Sequence, residues 1–346
     1  MRILHTGDLH LGRYYKGELP RDISNLRREE LFENFNNTIN YIKNNDIDVL
    51  LISGDLYDKD SFSLTLMERI RDKFKEIEDV EVFIILGNHD YLNKDALILK
   101  VDFPKNVHIF KNDKDYFQID KLNLRVYGNS WDKDINYTAS INYNLDNSYT
   151  NLLMLHCNID GKDYFPVKRD ELSKLNFDYI ALGHIHVRQK ILNNCYYCGS
   201  PEPLSFKETG SHGFIIVDIK NNLINIHEVD SAIRNYNVVD VDVDEYNSFE
   251  EVKQKIDNKL NNLFNDLNLV RLNGSYKDIN GLISYLKIKS KYFYIDFLNN
   301  LKSYCSIDEL FKLNSDNILG EFIKICKDDL SLKYGIWALL ETKNED

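Results

Sequence analysis

The sequence predicts an α/β protein in which a layered β-sheet core carries helices on its faces, followed by a small α+β region and C-terminal helices. Two observations predict this fold class. Over the first 230 residues, apolar runs of strand length alternate with stretches whose apolar residues recur every three or four positions. Near residues 231–236 the pattern changes to a shorter alternation of strands and helices, and after about residue 305 only helical spacing remains.

The first region contains two clear helices and a series of short strands. Leu31, Phe35, Ile39 and Ile42 recur at helical spacing, and a second helix is expected over about 61–77. Strands are expected at Arg2–Thr6, Asp48–Ser53, Glu81–Leu86, Leu124–Tyr127, Asn151–Leu155, Asp178–Leu182, Asn194–Gly199, Gly213–Asp218 and Leu223–Val229.

The chain after residue 233 is expected to form two further regions. The sequence favours an α/β domain over 1–233, an α+β domain over 234–304 and a helical region over 305–346. Apolar stripes mark the last region, at Leu319, Phe322, Ile323 and Cys326 and again at Ile336, Leu339 and Leu340. Such stripes usually form a core; the alternative is a docking surface for a partner helix.

The charge balance argues against a protein that binds nucleic acid strongly by itself. Lys and Arg number 43 against 55 Asp and Glu, which gives a net charge of −12. DNA-binding proteins usually carry a basic stripe that displaces counterions from the phosphates. Carboxylates that hold divalent metals add to the negative count, and bound ions reverse the local sign. We therefore expect this chain alone to bind DNA weakly.

Neither a membrane protein nor a disulfide-stabilised protein is indicated. No apolar stretch approaches the roughly 20 residues that span a bilayer, and the N-terminus becomes polar too soon for a signal peptide. We therefore expect a cytoplasmic protein. The five cysteines are odd in number, and the lone pair Cys195 and Cys198 lies in a predicted strand without a second pair to complete a zinc site. A structural role is favoured for that pair.

Five short polar motifs directly follow predicted strands. They are Gly7–His10, Gly54–Asp58, Gly87–Asp90, His156 and Gly183–His186. Because ligands bind outside the carboxyl ends of strands in open α/β sheets, these loops are expected to converge. Their Asp, Asn and His side chains are donors that suit manganese, iron or zinc. A glycine before four of the motifs is expected to let the chain turn sharply out of the strand.

The order of the motifs carries more information than any single one. A lone Asp-x-His or His-x-His is common, but each places two donors on one face of an extended segment. Five of the nine histidines fall within the motifs. The other four, His5, His108, His212 and His227, are expected to be structural or surface residues. Together the motifs predict a metal site built from widely separated parts of the chain.

The series DxH, GDxxD, GNHD, H and GHxH resembles the signature of the calcineurin-like metallophosphoesterases over roughly residues 1–230. The resemblance implies a two-layered β-sheet core flanked by helices. It also implies two divalent ions, manganese with iron, zinc or magnesium as alternatives, that activate water for attack on a phosphodiester. One ion would be held by Asp8, His10, Asp55 and His186, and the other by Asp55, Asn88, His156 and His184.

The resemblance also assigns a proton donor. His89, beside Asn88, would protonate the leaving oxygen, and Asp90 would hydrogen-bond His89 and fix its tautomer. For Asp58 two roles remain open: it orients the metal-binding loop, or it caps a helix.

Three segments resemble SbcD-type DNA nucleases. These are the opening Arg2–Gly12, the stretch Tyr197–Leu204 and the α+β region from about 236, which is similar to a capping domain. Leu9 stands where that group usually has Trp, so a sister group is also consistent. The resemblance implies a manganese-dependent 3′-to-5′ exonuclease with endonuclease action, working in DNA double-strand break repair. The implied partners are DNA, an SMC-like coiled-coil ATPase (SbcC-like) that binds the helices after 305, and a second copy through the helix at about 27–44.

Two other functions compete with the nuclease. One is a phosphatase or phosphodiesterase acting on a small-molecule or lipid phosphoester, which the acidic composition favours. The other is a catalytically silent binding module. A lost ligand or a replaced His89 would mark such a module, and the sequence retains both the ligands and His89.

Overall fold

The structure is a computed structural model that describes residues 1–15, 17–112, 116–133, 143–221, 223–303 and 307–341. It divides into two compact units, Met1–Asn237 and Val238–Asp346. The predicted α/β class is confirmed, with sheets flanked by helices. Within the described ranges, no helix is both long enough and apolar enough to span a membrane.

Two six-stranded mixed sheets and one two-stranded sheet form the first unit. Its strands are β1 (Arg2–Thr6), β2 (Val49–Ser53), β3 (Glu81–Ile85), β4 (Val107–Ile109), β5 (Tyr116–Ile119), β6 (Leu124–Gly128), β7 (Thr150–His156), β8 (Asn158–Ile159), β9 (Pro166–Val167), β10 (Tyr179–Gly183), β11 (Gln189–Leu192), β12 (Cys195–Tyr197), β13 (Gly213–Lys220) and β14 (Leu223–Asp230). Its helices are α1 (Arg21–Asn44), α2 (Leu64–Lys75) and α3 (Arg169–Leu172), with 3₁₀ turns at Lys59–Ser61, Leu97–Lys100 and Asp120–Leu122.

The strand order explains why the polar motifs come together. One sheet has the order β14-β13-β1-β2-β3-β4, and the other has the order β11-β12-β10-β7-β6-β5. Strands β1 to β4 run parallel in the first sheet, as do β12, β10, β7 and β6 in the second. Every strand that precedes a motif therefore belongs to a parallel set, and its carboxyl end lies at the same edge as its neighbours'.

Apolar side chains from both sheets form the central core. Val49, Leu51 and Phe83 of the first sheet pack in one buried cluster with Leu152 and Met154 of the second. The outer face of the first sheet packs against α1 and α2. Strands buried on both faces are continuously apolar, which accounts for the short apolar runs in the sequence.

The buried cysteines belong to this core. Cys195 and Cys198 are free thiols, as is Cys157, and all three are buried. Burial raises the pKa of each of these thiols because the thiolate would lose its hydration. They pack as small apolar side chains, in agreement with the structural role favoured for Cys195 and Cys198.

The second unit combines a three-stranded sheet with helices. Its elements are β15 (Tyr236–Val243), α4 (Phe249–Lys259), β16 (Leu267–Tyr276), α5 (Ile279–Ile288), β17 (Tyr294–Ser303), α6 (Ile307–Leu313), α7 (Ile318–Ile325) and α8 (Asp329–Glu341). The first two residues of β15 belong to the first unit. Leu319 and Ile323 are buried in a small core, with Phe322, Cys326, Ile336 and Leu339 packed against it. Most of the predicted stripe is therefore core. The side chain of Leu340 and the proposed boundary at 304/305 lie outside the described residues.

A buried ion network joins α1 to the segment that follows β12. The Arg27 guanidinium is fully buried and lies 2.6 Å from Glu30 Oε2 and 2.8 Å from Glu202 Oε2. Asn34 Nδ2 donates to the other oxygen of Glu202 at 2.8 Å, and Arg234 Nε donates to Glu30 at 2.7 Å. Every charge in the network lies next to an opposite charge, and this pairing offsets the free-energy cost of burying it.

Removing Arg27 is expected to destabilise the first unit strongly. Arg27→Met would leave Glu30 and Glu202 buried without the cation that they share, at a cost of about 3–5 kcal/mol. Urea unfolding followed by circular dichroism measures the change. Arg71→Met is the matched control, since Arg71 forms an exposed pair with Asp72 on α2, and its loss should cost no more than about 0.5 kcal/mol. Equal stability of the two variants would contradict the account.

Candidate metal centre

Backbone hydrogen bonds hold the motif loops side by side. The loop after β1 is joined to the loop after β2 by Asp8 N, which donates to Gly54 O at 3.0 Å, and by His10 N, which donates to Asp55 O at 3.0 Å. Across the two sheets, the backbone N–H of His184 donates to the Asp8 carboxylate at 3.0 Å. The convergence expected from strand order is therefore fixed by specific contacts.

The site concentrates unusual backbone conformations. Four of its residues have positive φ angles: Asp8 (51°), His10 (45°), Asp55 (50°) and His184 (98°). Non-glycine residues seldom adopt this conformation, and such strain clusters at functional sites.

The glycines before the motifs act mainly by leaving space. Of the four, Gly54 alone has a positive φ, 92°. At Gly183 a Cβ would lie 1.9 Å from the carbonyl oxygen of Ser53, so any side chain would push the two sheets apart. The sharp turns predicted for these glycines fall largely on the residues that follow them.

One cluster of donor atoms contains Asp8, His10 and His186, whose candidate ligand atoms all lie within 4.8 Å of one another. The Nε2 atoms of His10 and His186 are 3.3 Å apart, and His10 Nε2 is 3.6 Å from Asp55 Oδ2. His10 and Asp8 are buried, which positions their lone pairs rigidly.

A second cluster contains Asp8, Asp55 and His156. The Nε2 atom of His156 lies 3.3 Å from Asp55 Oδ2 and 3.0 Å from Asn88 Oδ1. Its other ring nitrogen faces the carbonyl oxygen of Ser53 at 2.9 Å, so Nδ1 carries a proton and Nε2 is the nitrogen that would bind a metal ion. The Asp55 carboxylate thus lies next to the histidines of both clusters.

His184 lies beside the second cluster rather than within it. Its ring centroid is 5.2 Å from that of His156 and 5.0 Å from that of Tyr164. Burial and the neighbouring His156 lower the pKa of His184 to about 3, so its imidazole is neutral, as a metal ligand must be. The structure therefore brings all seven sequence-predicted ligands to one place, with His184 at the edge.

The electrostatics of the site favour cations. Burial raises the pKa of Asp8, because the charged carboxylate would lose its hydration, and the neighbouring His156 opposes this shift. For His156 burial would lower the pKa, but the nearby Asp55 outweighs it and raises the value to about 9. Protons on Asp8 and His156 partly neutralise the negative charge of the site. Divalent ions would compete with these protons for the same oxygen and nitrogen atoms.

The donor set fits divalent metal ions. Carboxylate oxygens, an amide oxygen and imidazole nitrogens converge in a buried space, and partners behind the ring orient His10, His156 and His186. His10 shows this arrangement, since its Nδ1 lies 2.7 Å from Asp58 Oδ1 while Nε2 points into the cluster. The residues present therefore suit the two ions that the resemblance implies.

The expected partner of His89 is corrected by the structure. Asp58, not Asp90, faces this imidazole, with its Oδ1 3.1 Å from His89 Nδ1. Asp90 is fully buried, and its two oxygens accept hydrogen bonds from the backbone N–H groups of Gly87 and Leu56, both at 2.7 Å. The reason is geometric, because the tight Gly87–Asp90 loop turns the Asp90 side chain back onto its own backbone. Asp58 therefore orients both His10 and His89.

Glu208 is a residue of the site that sequence analysis missed. Its Oε1 atom lies 3.2 Å from His186 Nδ1, and its Oε2 atom accepts a hydrogen bond from Leu204 N at 2.9 Å. Burial tends to lower the pKa of His186, but the hydrogen bond to Glu208 raises it overall. No motif marks Glu208, which stands 22 positions after His186 in an irregular segment.

Removing the Glu208 carboxylate is expected to weaken metal binding without removing a ligand. We expect Glu208→Ala to lower the affinity for Mn²⁺ by about 10- to 100-fold, because His186 loses the partner that fixes its tautomer. Isothermal titration calorimetry measures this affinity directly. Glu228→Ala removes an exposed carboxylate on β14 and should leave the affinity unchanged. Identical affinities for both variants would show that Glu208 does not position His186.

A cavity of about 580 Å³ adjoins the site on the His89 side. Its walls include Asn88 and His89, together with Tyr14, Lys59 and Tyr164. The His89 side chain is 43% exposed, far more than the candidate ligands, so it can reach a bound molecule. The arrangement can hold a phosphate at the metal centre with an exposed imidazole beside it.

Comparison with known families agrees with this geometry. Residues 1–188 match the family described as calcineurin-like phosphoesterase, which is more than half of the chain. The chain belongs to this family. Calcineurin-like phosphoesterases use divalent metal ions, and the described His and Asp groups could bind them. This phosphoesterase is therefore a hydrolase acting on phosphoester bonds.

Three curated proteins illustrate its relatives. The phosphoesterase is 29% identical over 239 residues to the uncharacterized metallophosphoesterase YhaO of Bacillus subtilis, covering 64% of this chain and 58% of that protein. It is 27% identical to the SbcD component of the nuclease SbcCD from Staphylococcus saprophyticus, covering 65% of this chain and 67% of that one. It is 26% identical to the DNA double-strand break repair protein Mre11 of Thermoplasma acidophilum, covering 73% and 71%. The match thus spans less than two thirds of the first of these relatives.

Proposed function

We propose that this phosphoesterase is a manganese-dependent DNA exonuclease that removes nucleotides from 3′ ends. It would also act as an endonuclease near DNA ends or at hairpins. The observation that carries the proposal is the open cavity beside His89, whose walls carry Lys59 with Tyr14 and Tyr164, next to the carboxylates Asp58 and Asp60. A cation next to aromatic rings suits a strand of phosphates and bases. One relative named as a nuclease subunit and another named as a DNA double-strand break repair protein support a DNA substrate.

The ligand residues would bind the scissile phosphate through the metal ions. Asp8, His10, Asp55 and His186 would hold one ion, and Asp55, Asn88, His156 and His184 the other. Bound ions in such a site activate water and neutralise charge on the phosphate. The protein contributes rigidity, because burial and backbone hydrogen bonds fix the carboxylates before substrate arrives.

His89 would donate the proton to the leaving oxygen. Its Nδ1 is 3.1 Å from Asp58, which leaves Nε2 directed away from that carboxylate and toward a bound substrate. Burial would lower the pKa of His89, but its contact with Asp58 raises it, so the protonated form that a general acid needs is favoured. Asp90 would support the reaction indirectly by holding the Gly87–Asp90 loop in shape.

A second candidate is a phosphodiesterase acting on a small-molecule or lipid phosphoester. The net charge of −12 favours it, because an acidic protein repels a long polyanion at low salt. The proposed ATPase partner would relieve this repulsion by providing most of the contacts with DNA.

The partner surface that we propose lies on the C-terminal helices. On α7, Ile318 is 77% exposed and Ile325 is 70% exposed, although the opposite face of this helix is buried. Exposed large apolar residues on one helix suit docking onto the coiled coil of an SMC-like ATPase. Co-purification with that ATPase tests the surface: Ile318→Ser with Ile325→Ser should lose the complex, whereas the exposed Leu223→Ser on β14 should keep it.

Digestion of end-labelled DNA tests the proposed function. With Mn²⁺, we expect the protein, alone or with its ATPase, to shorten DNA from the 3′ end and also to hydrolyse bis-p-nitrophenyl phosphate. Hydrolysis of the small diester with intact DNA under both conditions would reject the nuclease and favour the second candidate. Hydrolysis of neither would reject the assigned chemistry.

A further inference from the structure

A second cavity of about 450 Å³ lies in the first unit and shares no lining residue with the cavity beside His89. Its walls include the cations Arg13 and Lys207, the carboxylate Glu18 and the aromatic rings of Phe206 and Tyr236. This basic pocket has no part in the chemistry assigned above.

Two residues that line the pocket are close in the chain to residues of the first cluster of donor atoms or to their partners. Arg13 N donates to His10 O at 3.0 Å, so one wall begins one turn after a candidate ligand. Lys207 is adjacent to Glu208, whose carboxylate contacts His186. His10 and His186 are the two histidines whose Nε2 atoms lie 3.3 Å apart. The pocket therefore lies on the same two loops that carry His10 and Glu208.

A hydrogen-bond donor without a partner lines the pocket. The Nε of Arg13 is buried and has no hydrogen-bond partner among the residues described. The hydroxyl of Tyr236 is also buried, and it lies beside the Arg27 guanidinium. Burial raises the pKa of Tyr236 to about 12, although the nearby Arg27 opposes it, so the hydroxyl keeps its proton. Buried donors without partners are uncommon in proteins and indicate a missing acceptor.

The charges of the pocket are available to an anion. Glu18 pairs with Arg13 at 3.3 Å, but its side chain is 45% exposed, and exposed pairs of this kind are weak. Lys207 is exposed and forms no ion pair within the described part of the chain. A phosphate could displace Glu18 and accept from Arg13 and Lys207 together, and charge-assisted hydrogen bonds of this type are strong.

We propose that the basic pocket binds a second phosphate of the DNA strand, next to the one held at the metal centre. The inference rests on the proposed nuclease function. The pocket would favour a nucleic-acid strand over a single phosphodiester, because only the strand supplies a second phosphate. The edge-to-face rings of Phe206 and Tyr236, 4.8 Å between centroids, provide an apolar wall for the sugar between the two phosphates.

Dinucleotide kinetics test the proposal. The substrates are TpT, which has one phosphate, and pTpT and TpTp, which add a second phosphate at either end. For the wild type with Mn²⁺, we expect one of the two longer substrates to have a KM about tenfold lower than that of TpT. In Arg13→Gln/Lys207→Gln this advantage should fall below about twofold. Lys190→Gln/Lys220→Gln, which removes two exposed charges on β11 and β13, should retain it.

The outcomes separate the pocket from the proposed function. Calorimetry with Mn²⁺ checks that the metal centre survives in each variant. Equal KM values for all three substrates in the wild type, or an advantage that persists in Arg13→Gln/Lys207→Gln, would overturn the pocket while leaving the nuclease intact. Hydrolysis of bis-p-nitrophenyl phosphate without hydrolysis of any dinucleotide would reject the nuclease and the pocket together.

Discussion

Asp55→Ala is expected to lower phosphodiester hydrolysis by about 10³-fold or more. The Asp55 carboxylate lies 3.6 Å from His10 Nε2 and 3.3 Å from His156 Nε2, so its removal takes a ligand from both proposed ions. Bound metals stabilise charge in the transition state by several kcal/mol, and each 1.36 kcal/mol corresponds to tenfold in rate.

Steady-state hydrolysis of bis-p-nitrophenyl phosphate with saturating Mn²⁺ measures this loss. Asp79→Ala is the matched control, because Asp79 is exposed just before β3 at the end opposite to the motifs. The control should keep the wild-type rate. A loss of less than about tenfold in Asp55→Ala would show that the two clusters do not depend on a shared carboxylate.

His89→Ala is expected to affect substrates according to their leaving groups. General acid catalysis contributes about 10²- to 10⁴-fold, and we expect a loss in this range for DNA, whose leaving alkoxide needs a proton. p-Nitrophenolate leaves without protonation, so hydrolysis of bis-p-nitrophenyl phosphate should fall by less than about tenfold. The ratio of the two losses isolates proton donation from metal binding.

The same two assays on His227→Ala provide the control, since His227 is 61% exposed on β14 and distant in sequence from every motif. An equal loss on both substrates in His89→Ala would contradict the proton-donor role. It would assign His89 instead to phosphate binding or to support of Asn88.

Much of this site was predictable because its ligands follow strands. Apolar runs mark the strands, and parallel strands bring their carboxyl ends together, so the sequence alone could place Asp8, Asp55 and His156 near one another. The short strands β4, β5, β8, β9 and β11 were not predicted, since two to four residues carry too little periodicity.

The supporting contacts were less predictable, because they depend on loop conformation. Two motif carboxylates, Asp58 and Asp90, are candidates to contact His89. The backbone conformation of each loop decides which of them reaches the imidazole. Glu208 contacts His186 from an irregular segment, and the Arg27–Glu202 pair joins residues 175 positions apart. Such pairings have no local signature in sequence.

Asp55 would be a ligand of both proposed metal ions. Anomalous diffraction from crystals of the wild-type protein grown with Mn²⁺ tests this role most directly. We expect two manganese peaks per chain, one contacting His10 and His186 and the other contacting Asn88 and His156, with Asp55 within contact distance of both. A single peak, or two peaks of which only one contacts Asp55, would contradict it.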